Sequence, residues 1–371
     1  MTPAITIVAA ACGFPSGPTM ELADTAVRSQ LSLLQAHPHY LDRAGIPAKV
    51  SCFPAEQPFA AARWETLALA ALDNLTCRLE RQLGSDRPWP PSLLWLVLPD
   101  PNHRPALPAG LFERLSSAVR RSPLPWETIE PVLGGHAAGM TALGQAAAAL
   151  AQRPDALAVI LAVEADLSAD ALTWLDLQAL LHGAHEPWRG RFRPQPYGRI
   201  PAEGAAALAL ARLNDPVAGW ATLLGCATAA EPMTYRCPEP CTGLGLTQAV
   251  RQALSQAGSI NPIDCVLADL NGEPYRADQY GFTALRLSDV LQADWQTLTP
   301  ALASGDLGSA SAIAHLALAA YSLWQRPQAG TQLVLASSDD PLRGAALLGA
   351  TQPIPALPEV QPWRSPSTST A

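Results

Sequence analysis

Apolar and polar positions along this chain follow two rhythms, one suited to strands and one to helices, and the two alternate. Residues 5–11 form a continuous apolar run ending at Cys12-Gly13-Phe14-Pro15, which predicts a buried strand. Over 64–82, Leu67, Ala70, Leu72, Leu75 and Leu79 predict a helix. Residues 93–98 predict another buried strand, 111–120 a helix and 156–163 a further strand. Before that last strand, a short extended segment at 129–133 runs into Gly134-Gly135-His136-Ala137-Ala138-Gly139. This turn heads the stretch 137–152, which has no Asp, Glu, Lys or Arg and predicts a helix buried inside the protein.

Segment 181–201 breaks the rhythm. Trp188, Arg189, Arg191, Phe192, Arg193, Tyr197 and Arg199 stand there among prolines and glycines, so no regular structure is expected. Glu203-Gly204 then opens a strand over 205–213, and a similar series begins again. It comprises a strand at 218–227, a helix at 246–256, a strand at 264–269 and a loop at 299–308. A small-residue helix at 311–324 and a closing hairpin from 332–336 and 345–349 complete it. From residue 351 the chain is rich in Pro and Ser, and disorder is expected beyond 363.

Composition narrows the classes. With 371 residues, 49% hydrophobic and 15% charged, the chain is globular, as two domains or one large duplicated one. A formal charge of −8 without a basic cluster excludes nucleic acid and anionic membrane surfaces as expected partners. Arg28 is the first basic residue, so no signal peptide is expected, and no uncharged run is both long and apolar enough for a membrane span. Cysteines at 12, 52, 77, 226, 237, 241 and 265 form no framework and fit reduced thiols in the cytoplasm. Cys226, Cys237 and Cys241 lack a fourth ligand at zinc spacing, so neither metal nor cofactor is expected. Cys12 and His315 read as buried residues, and His182 and His185 as exposed polar ones.

A Gly-rich turn from a strand into a buried helix is how many acyl-handling enzymes present a nucleophile. This turn holds His136 and contains neither Ser nor Cys.

The order of motifs resembles the thiolase superfamily, and within it the β-ketoacyl synthases. Pro201-Ala202-Glu203-Gly204-Ala205-Ala206 is similar to the strand that opens their second half. Asp155 to Asp166 is similar to the strand after their nucleophile helix. Asp264 to Gly272 and Gly305 to Ser311 are similar to the segments that carry their two histidines. The resemblance spans about residues 3–350 and implies an α/β, five-layered αβαβα fold of two duplicated halves. The halves are expected at 1–213 and 214–350, followed by a tail at 351–371. A homodimer, or a heterodimer with a cysteine-bearing synthase, is implied as well.

The resemblance puts the condensing cysteine at His136, the first histidine at Asn271 and the second at Asp306 or Gly305. Ala301 or Leu302 replaces the lysine, and residues 337–344 replace a Gly-rich loop. Condensation needs a thiolate and donors for an enolate, so ordinary β-ketoacyl synthase activity is not expected. Two roles follow. The chain binds an acyl group, an acyl carrier protein or a partner synthase in a fatty-acid or polyketide-type pathway without condensing. Alternatively, His136 at a helix N-terminus stays neutral and serves as the general base of an acyltransferase or thioester hydrolase. Asp306 would then orient the ring and Asn271 donate to an oxyanion. A tunnel reaching His136 in contact with Asp306 or Asn271 would favour the enzyme. One plugged by Met140, Leu143 or a Trp would favour the scaffold. Arg191, Arg193 and Arg199 are candidates for a phosphopantetheine phosphate or an acidic carrier.

Overall fold

The apolar runs of the first half become strands β1 (Ala4–Gly13), β4 (Ser92–Leu98), β5 (Trp126–Leu133), β6 (Leu157–Glu164) and β9 (Gly204–Leu213). Between them lie α1 (Met20–Ser29), β2 (Gln35–Leu41), β3 (Pro47–Val50), α2 (Ala62–Leu83), α3 (Leu111–Val119) and α4 (Ala138–Gln152). Helix α5 (Ala169–Leu177) and the ribbon β7 (His185–Trp188) and β8 (Arg191–Pro194) complete that half. The second half contains β10 (Ala221–Ala230), α6 (Leu244–Ala257), β11 (Ile263–Leu267), α7 (Pro274–Arg286) and β12 (Leu291–Leu298). It ends with α8 (Ala301–Ser304), α9 (Ser311–Gln325), β13 (Thr331–Ser337) and β14 (Leu342–Gly349). This computed structural model describes residues 4–54, 62–83, 88–105, 107–165, 167–213, 219–327 and 330–351; the expected disordered end lies outside them.

Ten strands pair in the order β12-β11-β13-β14-β10-β1-β9-β6-β4-β5. From either edge inward, each half runs through its own third, second, fourth, fifth and first sheet strand. That shared order is the duplication. The halves join where β1 and β10 pair antiparallel, Thr6 opposite Thr222.

Strand periodicity assigns the layers. In β6, Ala158, Ile160 and Ala162 pack with α4 and α9, while Val159, Leu161 and Val163 pack with α2 and α3. In β13, Val334 and Ala336 turn to the same central helices, and Leu333 and Leu335 to α6. The five layers are therefore α2/α3, half-sheet, α4/α9, half-sheet and α6/α7. Small residues let the central helices touch: a Cβ on Gly139 would stand 2.9 Å from Ala312 Cβ and from Ile313.

The expectation of irregular structure at 181–201 is corrected. β7 and β8 pair antiparallel there, with Trp188 opposite Arg191. Arg189 and Gly190 at the tip both have positive φ, 47° and 75°, as a tight primed turn requires.

Candidate functional site

The site lies where α4 begins. β5 ends at Leu133, and Gly134, Gly135 and His136 turn the chain into the helix. Ala137, at the N-cap, has no capping side chain of its own. The Ser338 hydroxyl, from the loop between β13 and β14, accepts the Ala137 N–H at 3.0 Å instead. Gly135 is required for this approach, since a Cβ there would meet Ser338 Oγ at 2.9 Å. A backbone N–H at the helix start is thus satisfied from within the protein.

His136 is buried, and its Nε2 lies 2.8 Å and 3.0 Å from the two Asp306 oxygens. Asp306 is held by a bridge to Pro201, by the Gly308 N–H at 2.7 Å and by Asn271 Nδ2 at 2.5 Å. Asn271 Nδ2 also donates to Glu273 Oε2 at 3.0 Å. The structure therefore brings His136, Asp306 and Asn271 together. Both amide hydrogens of Asn271 have carboxylate acceptors, which leaves none for an oxyanion.

The contact on the other side of the ring was not legible from sequence. Arg276 Nη2, from α7, lies 3.3 Å from His136 Nδ1. A guanidinium has only donors, so Nδ1 accepts and the ring proton resides on Nε2, toward Asp306. Arg276 is buried, and it also binds Glu273 at 2.7 Å, Asp269 at 2.8 Å and Asp339 at 3.3 Å. Its pairing with Glu273 joins residues three apart in sequence.

Arg199 belongs to the same network. It is buried, binds Glu273 at 2.5 Å and Asp339 at 2.7 Å, and lies 3.6 Å from Asp306. Its charge is used internally. Arg191 and Arg193 stand apart from it, exposed on β8. Burial alone would raise the Asp306 carboxyl, but the Arg199 and Arg276 charges and the hydrogen bond from His136 overcome it and hold the group well below the usual carboxylate range. Asp339 is lowered in the same way, by Arg199 and Arg276 against burial. Burial pushes the Tyr275 phenol well above its ordinary value.

A pocket of about 250 Å³ opens above this network, lined by Arg104, Gly135, His136, Trp174, Tyr235 and Asp339 among others. Its position alone favours the enzyme expectation, because it reaches His136 with Asp306 and Asn271 in contact. Nε2 of the ring faces a carboxylate and Nδ1 a guanidinium. Met140 and Leu143 sit in the central core.

Other candidates fall elsewhere. Cys12 is buried, and desolvation pushes its thiol up to about 12. His185 Nδ1 lies 2.7 Å from Asp42, and His315 is buried within α9. Among the described residues, no group of three or more His, Cys, Asp or Glu is placed to hold a metal ion. No helix among them is long and apolar enough to cross a membrane.

Solved structures of known proteins share this architecture. The ishigamide ketosynthase/chain length factor aligns over 94% of this chain and 99% of its own, at 19% identity and a TM-score of 0.66. A type II PKS acyl-carrier protein in complex with its ketosynthase bound to the hexaketide gives 94%, 100%, 13% and 0.73 for the same four quantities. This chain has the thiolase-like ketosynthase fold. A third example, the ketosynthase from module 6 of the bacillaene synthase of Bacillus subtilis 168, matches 94% of this chain and 72% of its own. That match has 12% identity and a TM-score of 0.73. No protein-family model and no curated protein matches the sequence. At these identities the likeness extends to the ketosynthase fold alone.

Proposed function

We propose that this chain is a non-condensing, ketosynthase-fold subunit of a polyketide- or fatty-acid-type pathway. It binds an acyl chain on a carrier protein, or a cysteine-bearing synthase, without performing thiolate chemistry itself. One observation carries this reading. The place that the resemblance gives to the condensing cysteine holds His136, with both ring nitrogens engaged inside the protein. A thioester would have no nucleophile there to receive it.

Three further points support the assignment. The neighbours include a ketosynthase/chain length factor and a ketosynthase bound to its carrier protein. The pocket gives a small group access to the His136 turn. All seven thiols are free, which suits a reducing, cytoplasmic setting. Arg191 and Arg193 are assigned to an acidic carrier, because they stand exposed on an acidic protein. The halves at 1–213 and 214–350 and a dimeric assembly, with itself or with a synthase, belong to the same proposal.

The second reading is a His136-dependent acyltransferase or thioester hydrolase. The His136–Asp306 pair at 2.8 Å favours it, and the Arg276 contact on Nδ1 opposes it. Turnover of an acyl-carrier thioester by the wild-type chain and by His136→Ala separates the two. Background rates from both proteins are expected. Turnover in the wild type that disappears in His136→Ala would establish the enzyme instead.

A further inference from the structure

The His136–Asp306 pair has the arrangement of a base and its orienter, but a third group occupies the nitrogen that would act as the base. That group is the Arg276 guanidinium, and its own placement is rigid. Nε binds Glu273, Nη1 binds Asp269 and the Ser337 carbonyl, and Nη2 spans His136 Nδ1 and Asp339. Ligands on each of its nitrogens leave the side chain little freedom to swing away from the ring.

We propose that Arg276 is a positioning residue that holds His136 with its proton on Nε2 and withholds the lone pair of Nδ1 from any ligand in the pocket. This deepens the non-condensing reading and rests on it: the site is silent because α7 inserts a permanent donor against the ring. Asp306 then serves as the acceptor that keeps the proton on Nε2, and Asn271 fixes Asp306 rather than a substrate.

The charged and titratable groups around the ring come from every neighbouring element. Asp306 follows α8, and Asn271 and Glu273 precede α7. Arg199 precedes β9, Asp339 lies between β13 and β14, and His315 faces the cluster from α9. Asp269, Glu273, Asp306 and Asp339 surround the Arg199 and Arg276 guanidiniums. Removing the Arg276 guanidinium takes the Nη2 donor away from Nδ1 and opens that nitrogen to the pocket.

The ring nitrogen spectrum of the full chain, labelled with nitrogen-15 at histidine, tests the proposal, with His136→Gln assigning the signal. In the wild type, a protonated Nε2 and a hydrogen-bonded, unprotonated Nδ1 are expected. Arg276→Met removes the donor, and the Nδ1 signal of its His136 is expected to move to that of an imidazole nitrogen accepting no hydrogen bond. Arg276→Leu, a second substitution without a donor, is read in the same way. A wild-type ring that is doubly protonated, or protonated on Nδ1, overturns the proposal. So does an Arg276 variant whose ring keeps the wild-type signature. These outcomes are distinct from failure of the non-condensing reading, which shows as thioester turnover dependent on His136.

Discussion

Asp306 ties together the turn before α4, the loop before α7 and the segment entering β9. Removing its carboxylate leaves one Asn271 amide hydrogen and the His136 N–H without an acceptor. It also leaves the Arg199 and Arg276 charges less compensated. Breaking a buried ionic contact of this kind costs roughly 3–5 kcal/mol, so Asp306→Ala is expected to lose about that much stability in urea unfolding. The pH dependence has a definite sign. A carboxyl held below its unfolded value contributes stability at neutral pH, and that contribution disappears only as pH falls through the depressed folded value. Wild-type stability at this site is therefore expected to persist below about pH 4, the ordinary carboxylate range, and Asp306→Asn to abolish that acid-side dependence. Urea midpoints measured against pH check both. His136 was legible in its Gly-rich turn, whereas Asn271 and Asp306 were reached only through the positions that the family resemblance implies. Arg276, Asp339 and Ser338 were not, because they reach the ring only through long-range folding. Ser338 and Ala137, for example, are 201 residues apart.

Helices α4 and α9 show how much of an element a sequence can carry. Both are nearly free of charge, and both proved to be the central layer, as their small residues suggested. Their contact depends on Gly139, where any larger side chain would overlap Ala312 and Ile313. Gly139→Val is expected to destabilise the protein by about 1–3 kcal/mol without altering the charged network, measurable as a lowered unfolding midpoint. Elements without a clean apolar rhythm escaped. β12 is a polar, half-exposed edge strand, and its residues do not alternate in a way that separates a strand from a loop. β7 and β8 were hidden by their prolines, glycine and arginines, although the Arg189-Gly190 turn is what closes them.

For the whole molecule, a duplicated five-strand order builds one continuous sheet around a central helix layer, with the pocket opening over the start of one of those helices. The two halves share their topology without an evident residue-level repeat, because the order of strands needs only matching patterns of burial. Arg191 and Arg193 project from an acidic molecule, so their contribution to carrier binding should be electrostatic and sensitive to salt. Arg191→Glu with Arg193→Glu is expected to weaken binding of an acyl carrier protein by about tenfold or more at low salt and to flatten the salt dependence. Isothermal titration at two ionic strengths checks this. The central claim is that the site receives an acyl group without chemically taking it. Intact-mass spectrometry of the full chain after incubation with an acylated carrier protein tests it most directly. A carrier that keeps its acyl group beside an unmodified chain is expected. An acyl adduct on the chain, or a carrier stripped of its acyl group only when the chain is present, would contradict the claim.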